Sequence, residues 1–307
     1  MPSEKRRKRK PERRVKGRRK TKQKLRPFRL LIVIFAVIML VYGVSFFLSI
    51  IFDAFFASQP VTEPVSEPAP TEDPIYKNSY SWNHLREEDG FYYYEDENYT
   101  SRIGIDVSHY QGNIDWNAVH EAGIEFAFIR AGYRGNTTGI LHEDTGYRKN
   151  IQGALDAGVE VAVYFFSQAN GSEEGREEAE FLMNLIKDYP VHVCAYDLEV
   201  DYNEGRLADT TQDKNTEAAI EFCQAVKENG YTPLVYGSVS FLTSEVRMRE
   251  LQDLTQFWLA WYDDAEPPFP YVFTIWQYSC EGEVPGINAM VDLNLLLVPK
   301  NPAAEDS

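Results

Sequence analysis

The sequence predicts an α/β protein: an irregular (β/α) barrel of eight strands with missing late helices, preceded by one transmembrane helix. Three observations carry this. From Arg102 onward, eight short apolar runs follow one another. Amphipathic stretches of helical length separate the early runs, an alternation that argues for parallel strands joined by crossover helices. After Tyr236 the spacing shortens, and only turn-like residues such as Glu266-Pro267-Pro268 lie between the next two runs. About 200 residues is small for a full barrel of roughly 250, in agreement with lost helices. An open doubly wound sheet is the alternative arrangement of the same elements.

The elements follow in order. Residues 1–29 carry 16 Lys or Arg against Glu4 and Glu12. Such a basic tail reads as a topology signal and an anionic-lipid contact. It has no aromatic until Phe28, so stacking on nucleic-acid bases has no support. Residues 30–52, Leu30 to Phe52, hold no charge and are long enough to span a bilayer. Phe55-Phe56-Ala57 makes a poor cleavage site, so the span reads as an uncleaved anchor rather than a signal peptide. The positive-inside rule puts the N-terminus in the cytoplasm and the rest outside a single-pass cell membrane protein. Residues 53–75 form a Pro/Glu-rich spacer containing Pro60, Pro64, Pro68, Pro70 and Pro74. Residues 76–101 are a Tyr-rich lead-in, with Phe91-Tyr92-Tyr93-Tyr94 as a short strand that packs on the main domain. Residues 102–300 are the barrel. Beyond residue 29 there are 15 basic and 45 acidic residues, a balance that excludes nucleic acid as a partner.

Within the barrel the runs are Ile103–Val107, Phe126–Ala131, Val159–Phe166, Val191–Leu198, Thr232–Tyr236, Phe257–Trp261, Val272–Tyr278 and Met290–Leu297. Helical patterns fall near Trp116–Ala122, Tyr147–Ala157, Glu173–Lys187 and Asn215–Asn229. Ser172 is placed to cap the third of these, with Glu173 and Glu174 in its first turn. Gly158 and Gly230 close the second and fourth. Of three cysteines, Cys194 and Cys223 fall on apolar elements and read as buried thiols, and the spacing with Cys280 fits no metal motif.

The chemistry sits at strand ends. Asp197 and Glu199 close the apolar run that includes Cys194-Ala195-Tyr196. Residues i and i+2 of a strand share a face, so both carboxyls project into one space. Carboxylates that close repel, and one holds its proton near neutral pH. That pairing points to glycoside hydrolysis. Asp106 ends the first run and Asp292 lies in the last. Closure of a barrel makes those strands neighbours and brings all four acids to one face. Candidate cleft aromatics are Tyr133, Tyr164, Tyr196, Tyr236, Trp261 and Tyr278. They either stack on sugar faces or fill the core. Arg130, inside an apolar strand, is expected to pair with one of the acids. Other chemistries lack their residues: no His-x-x-x-His pair for zinc, no Gly-x-Ser-x-Gly elbow and no phosphate-binding glycine loop. No metal or cofactor is expected.

Five segments together resemble the glycoside hydrolase family 25 lysozymes. They are Gly104-Ile105-Asp106-Val107-Ser108, Gln111-Gly112-Asn113-Ile114-Asp115-Trp116, Tyr196-Asp197-Leu198-Glu199, Trp276-Gln277-Tyr278-Ser279 and Val291-Asp292-Leu293-Asn294. The likeness runs from about Arg102 to Val298. It departs at Tyr164-Phe165-Phe166, where many members have Tyr-His-Phe. The resemblance implies an irregular barrel that cleaves the β-1,4 bond between N-acetylmuramic acid and N-acetylglucosamine in peptidoglycan glycan strands. It further implies Glu199 as the general acid, Asp197 as its partner toward the acetamido group, and Asp106 and Asp292 as further cleft acids. The rival readings are a glycosidase on another acetamido polymer such as chitin, and a non-catalytic wall-binding module. With the anchor, the expected setting is the outer face of a Gram-positive cell membrane.

Overall fold

The structure, a computed structural model, describes residues 75–263 and 266–301. The basic tail, the apolar span 30–52 and nearly all of the spacer lie outside the described residues. No helix among the described residues is long and apolar enough to cross a membrane.

The strands, in chain order, are β1 (Leu85–Glu88), β2 (Phe91–Tyr94), β3 (Tyr99–Val107), β4 (Phe126–Arg134), β5 (Leu141–Glu143), β6 (Glu160–Ser167), β7 (Val193–Leu198), β8 (Thr232–Ser238), β9 (Gln256–Ala260), β10 (Ile275–Gly282) and β11 (Val291–Pro299). The helices are α1 (Trp116–Glu121), α2 (Tyr147–Ala157), α3 (Ser172–Ile186), α4 (Gln212–Glu228) and the short α5 (Met248–Leu251). Strands β3, β4, β6, β7, β8, β9 and β10 pair in parallel, and β11 closes the barrel between β10 and β3. β5 is a flap paired antiparallel to β4.

The last strand departs from the all-parallel expectation, since β11 is antiparallel to both neighbours. The link from Gly282 to Val291 is too short for a crossover, so the chain must turn back. Ser172 is also not a cap. It is the first residue of α3, and Gly171, at φ 101°, precedes it without a side-chain cap bond. The Glu174 carboxylate instead reaches back to accept the Asn170 N–H at 2.7 Å. Elsewhere Asp115 caps α1 and Thr211 caps α4 through their side-chain oxygens. Gly158 ends α2 in the left-handed region at φ 84°, where glycine has no Cβ penalty.

Alternation along each strand sorts the side chains. Phe126, Phe128, Tyr164, Leu234, Trp258 and Ile275 point inward and fill the barrel as a separate apolar cluster. Gly104 makes room for this plug, because a Cβ there would lie 2.3 Å from the Phe126 ring. Outward residues pack under the helices, with Cys194 on β7 and Cys223 on α4 buried as free thiols and Cys280 exposed. Where the late helices are missing, the lead-in covers the sheet. Trp82 stacks on Phe273 at 6.1 Å and meets Trp276 edge-on at 5.4 Å, and Tyr92 stacks on Tyr278 at 4.6 Å. Beyond this plug, at the C-terminal ends of the parallel strands, polar inward residues collect around an open pit.

Candidate active site

That open end holds Asp106, Asp197, Glu199 and Asp292 around one pit of about 220 Å³. Asp197 is the fifth residue of β7, and Glu199 follows the strand by one residue. Asp106 sits opposite Asp292 across the β3–β11 pair. Because β11 runs backwards, its first residues lie beside the last residues of β3. Antiparallel closure therefore brings Asp292 to the same end as the other acids. Through Glu199, Tyr236 and Tyr262 the pit continues into a groove of about 810 Å³, which Tyr202, Phe241, Glu245 and Trp261 help to line.

The acids differ in surroundings. Asp106 is buried, and its Oδ2 accepts from Gln277 Nε2 and Asn294 Nδ2, both at 2.8 Å. Gln277 Oε1 in turn accepts from the Tyr236 and Tyr262 hydroxyls, at 2.9 and 2.5 Å. Asn294 Oδ1 accepts from the Trp258 indole at 2.8 Å. Despite these donors, burial and the nearby Asp292 charge push the Asp106 carboxyl well above the usual range. Asp197 is likewise pushed well up, by burial and by the charges of Glu199 and Asp106. Its Oδ1 is buried without a hydrogen-bond partner in the protein. Such an oxygen is expensive unless a ligand supplies a donor. Glu199 is open to solvent on its groove side, and the protein wall on the other side raises its pKa by withdrawing water. Asp292, half-buried, is raised to about 6, mainly by burial. The Glu199 backbone is tied down where Gln168 Nε2 donates to its carbonyl at 3.2 Å. Four carboxyls in one pit cannot all be charged near neutral pH, so the site offers a proton and a carboxylate side by side.

The other expected residues divide. Tyr164 lines the pit, Tyr236 lines both cavities and Trp261 lines the groove. Tyr196 does not reach the cleft: it is fully buried on the outer face, 5.0 Å from the Phe222 ring of α4. The alternation that turns Asp197 inward turns Tyr196 outward. Tyr278 is outward for the same reason, packed on Tyr92 and Trp276, while its neighbour Gln277 faces the acids. Tyr133 lies behind the pit, stacked on His142 and set 5.5 Å over the Arg130 guanidinium. A register shift in β4 between Arg130 and Gly132 pairs it with the pit-lining Phe166, yet Tyr133 itself lines neither the pit nor the groove. Arg130 lines the pit but pairs with none of the four acids. Its Nε donates to the fully buried Asp144 at 2.9 Å, and its Nη2 lies within ion-pair distance of the same carboxylate at 2.8 Å. Sequence reasoning missed Asp144, His109, Tyr110, Gln277, Asn294 and Trp258. Asn294 carried a usable signal, two residues from Asp292 and so on its face.

A sequence model of the family described as Glycosyl hydrolases family 25 matches residues 105–287, more than half of the chain. The autolytic lysozyme of Clostridium acetobutylicum is 29% identical over 192 residues, covering 62% of this chain and 54% of that protein. Lysozyme M1 of Streptomyces globisporus is 28% identical over 218 residues, covering 62% and 66%. The chain thus spans less than two thirds of the length of these curated relatives. The crystal structure of the bacterial lysozyme from Streptomyces coelicolor superposes with a TM-score of 0.55 at 25% identity, over 66% of this chain and 94% of that one.

Proposed function

The chain belongs to glycosyl hydrolase family 25, and from that membership and the four-acid pit we propose that it is a muramidase. It cleaves the β-1,4 bond between N-acetylmuramic acid and N-acetylglucosamine in peptidoglycan. The observation that carries this is the pairing of a solvent-facing Glu199 with a buried Asp197, whose Oδ1 lacks a hydrogen-bond partner in the protein, where the pit opens into an aromatic groove. In this reading Glu199 protonates the leaving glycosidic oxygen, a role favoured by its raised pKa. Asp197 Oδ1 accepts the substrate's acetamido N–H and balances positive charge as the bond breaks. Asp106, held by its two amides, and Asp292 tune that pair and position sugar or water. Tyr164, Tyr236 and Trp261 give flat surfaces for sugar rings.

Adjacent i and i+2 carboxyls favour substrate assistance, in which the acetamide oxygen attacks the anomeric carbon. Retention at that carbon, followed by NMR of the first product, is the expected result, and net inversion overturns it. The activity itself is tested by digesting purified wall and chitin side by side with wild type and Glu199→Gln. Wall fragments with new muramic acid reducing ends, and turnover reduced by ~100-fold or more in the variant, are expected. Release from chitin alone, or an unaffected variant, sinks the reading.

The setting is also proposed. An uncharged Leu30–Phe52 behind a tail rich in Lys and Arg supports a single-pass cell-membrane anchor with the barrel outside. The 23-residue spacer 53–75 reaches at most ~80 Å when extended, which confines action to inner or nascent wall glycan. Protease added to intact protoplasts then removes the barrel, and full protection contradicts this orientation.

A further inference from the structure

Arg130 is a cation built into an acid pit. It lies on β4, is 9% exposed, and its guanidinium is fixed from every side. Asp144, fully buried, accepts from its Nε and forms an ion pair with the guanidinium. The Tyr110 and Tyr133 rings lie 5.2 and 5.5 Å from its central carbon. His109 Nδ1 stands 2.8 Å from Nη2 and 2.9 Å from Asp144 Oδ2. Asp144 is anchored in its turn by the Gly146 N–H at 2.8 Å. Burial opposes its charge, and the His109, Gly146 and Arg130 contacts overcome that, so its carboxyl is held below the usual range. Arginine stays charged at any working pH. It is the one Lys or Arg among the residues lining the pit and the groove.

The groups facing it are His109 and Tyr110 from the turn after β3, Tyr133 on β4, Asp144 beyond β5, Tyr164 on β6 and Asp197 on β7. We propose that Arg130, clamped by Asp144 between two tyrosine rings, is the fixed counter-charge of the pit and a positioning residue that biases its negative charge onto Asp197. The inference rests on the muramidase reading for what that charge does. Asp197 is pushed up by burial, Glu199, Asp106 and Asp292, and Arg130 is the influence that favours its charged form. Asp106 draws its corresponding support from Asn294 and Gln277. The fixed cation thereby works against the burial and the neighbouring acids that raise Asp197, and tilts the sharing of protons in the pit toward a charged Asp197.

The test uses Arg130→Met, Arg130→Lys and Asp144→Asn in the full chain, with folding checked by circular dichroism. Turnover of purified wall is measured from pH 4 to 8. In Arg130→Met the acid limb moves up by about one pH unit or more, the shift expected from losing a nearby opposite charge. Arg130→Lys, which keeps the charge, restores most of it, and KM changes less than kcat. A uniform loss at every pH, or a change confined to KM, overturns the proposal. Carboxyl ¹³C titration of aspartate-labelled protein supplies a readout independent of turnover. The Asp197 midpoint should rise in Arg130→Met and fall in Asp144→Asn, which removes a neighbouring negative charge and leaves the cation in place, and an unmoved midpoint in the variants that fold also overturns it. If wild type fails to cut wall while that midpoint moves, the muramidase reading fails and the counter-charge stands.

Discussion

Gln277 fixes a carboxylate with an uncharged side chain. Its Oε1 accepts from two tyrosine hydroxyls, which settles the orientation of the amide, so its Nε2 must donate to Asp106. Gln277→Leu leaves the buried Tyr236 hydroxyl and an Asp106 oxygen short of partners. It should cost about 2 kcal/mol in urea unfolding and lower kcat by tenfold or more. Unchanged values for both would show that the amide is a bystander. Tyr196→Phe is the contrasting case. Its ring packs on Phe222 of α4 and its hydroxyl lies toward Ser167 and Glu178 rather than substrate, so kcat/KM should stay within about twofold of wild type and stability within about 1 kcal/mol. A large rise in KM would return Tyr196 to the cleft. These two residues also show what was readable in the sequence. Asp197 and Glu199 stood out because isolated charges in an apolar strand are costly and must have a purpose. Residue type marks an aromatic near a strand end but not the face it takes, so Tyr196 and Tyr278 look the same in the sequence as Tyr164 and Tyr236. Asp144 left no trace, since Glu143-Asp144-Thr145-Gly146 reads as an ordinary turn before a helix.

At the scale of elements, the lead-in stands in for lost helices. A barrel strand has two faces, and β10 has no following helix to bury its outer one. Tyr80, Trp82, Tyr92 and Tyr94 do so instead, gathered around Phe273, Trp276 and Tyr278. Tyr94 is the most enclosed of the four, 1% exposed, and its hydroxyl accepts the Ser81 N–H at 2.8 Å and donates to Asp96. Tyr94→Ala should therefore destabilise the whole barrel by about 3 kcal/mol, seen as a lower urea midpoint for the barrel itself. A change confined to local proteolysis of residues 75–95 would mean that the hairpin is a separate flap. The apolar periods placed all eight barrel strands because their inner and outer faces are both buried. The direction of the last strand depends on connection length, which periodicity does not encode. Ser172 failed as a cap because a glycine at positive φ ahead of it lets the helix start one residue early.

For the whole molecule, one set of carboxyls works against another. Asp106, Asp197, Glu199, Asp292 and the buried Glu178, the last raised to about 7 beside Arg134, all have folded-state pKa values above their unfolded ones. The folded state binds protons more tightly at these sites. Their contribution is thus greatest below the unfolded value near 4 and declines as pH rises through the folded-state values, which are about 6 for Asp292 and about 7 for Glu178. Asp96, Asp144 and Glu174 are shifted down by their hydrogen bonds and ion pairs, so their contribution is present above about pH 4 and fades below it. The excess of acid over base in the barrel adds self-repulsion that grows with pH. Thermal stability should consequently peak near pH 5 and fall toward pH 8. Asp292→Asn isolates one contributor. A shift from 3.8 to about 6 corresponds to about 3 kcal/mol if fully buried, and its partial exposure reduces that to about 1–3 kcal/mol. The variant should gain that much at pH 7.5 and almost nothing at pH 4, while losing turnover. A stability curve that climbs steadily to pH 8 would mean that the pit does not store this strain. The same repulsion that lets one acid keep its proton for a glycosidic oxygen is then what the rest of the barrel has to offset at neutral pH.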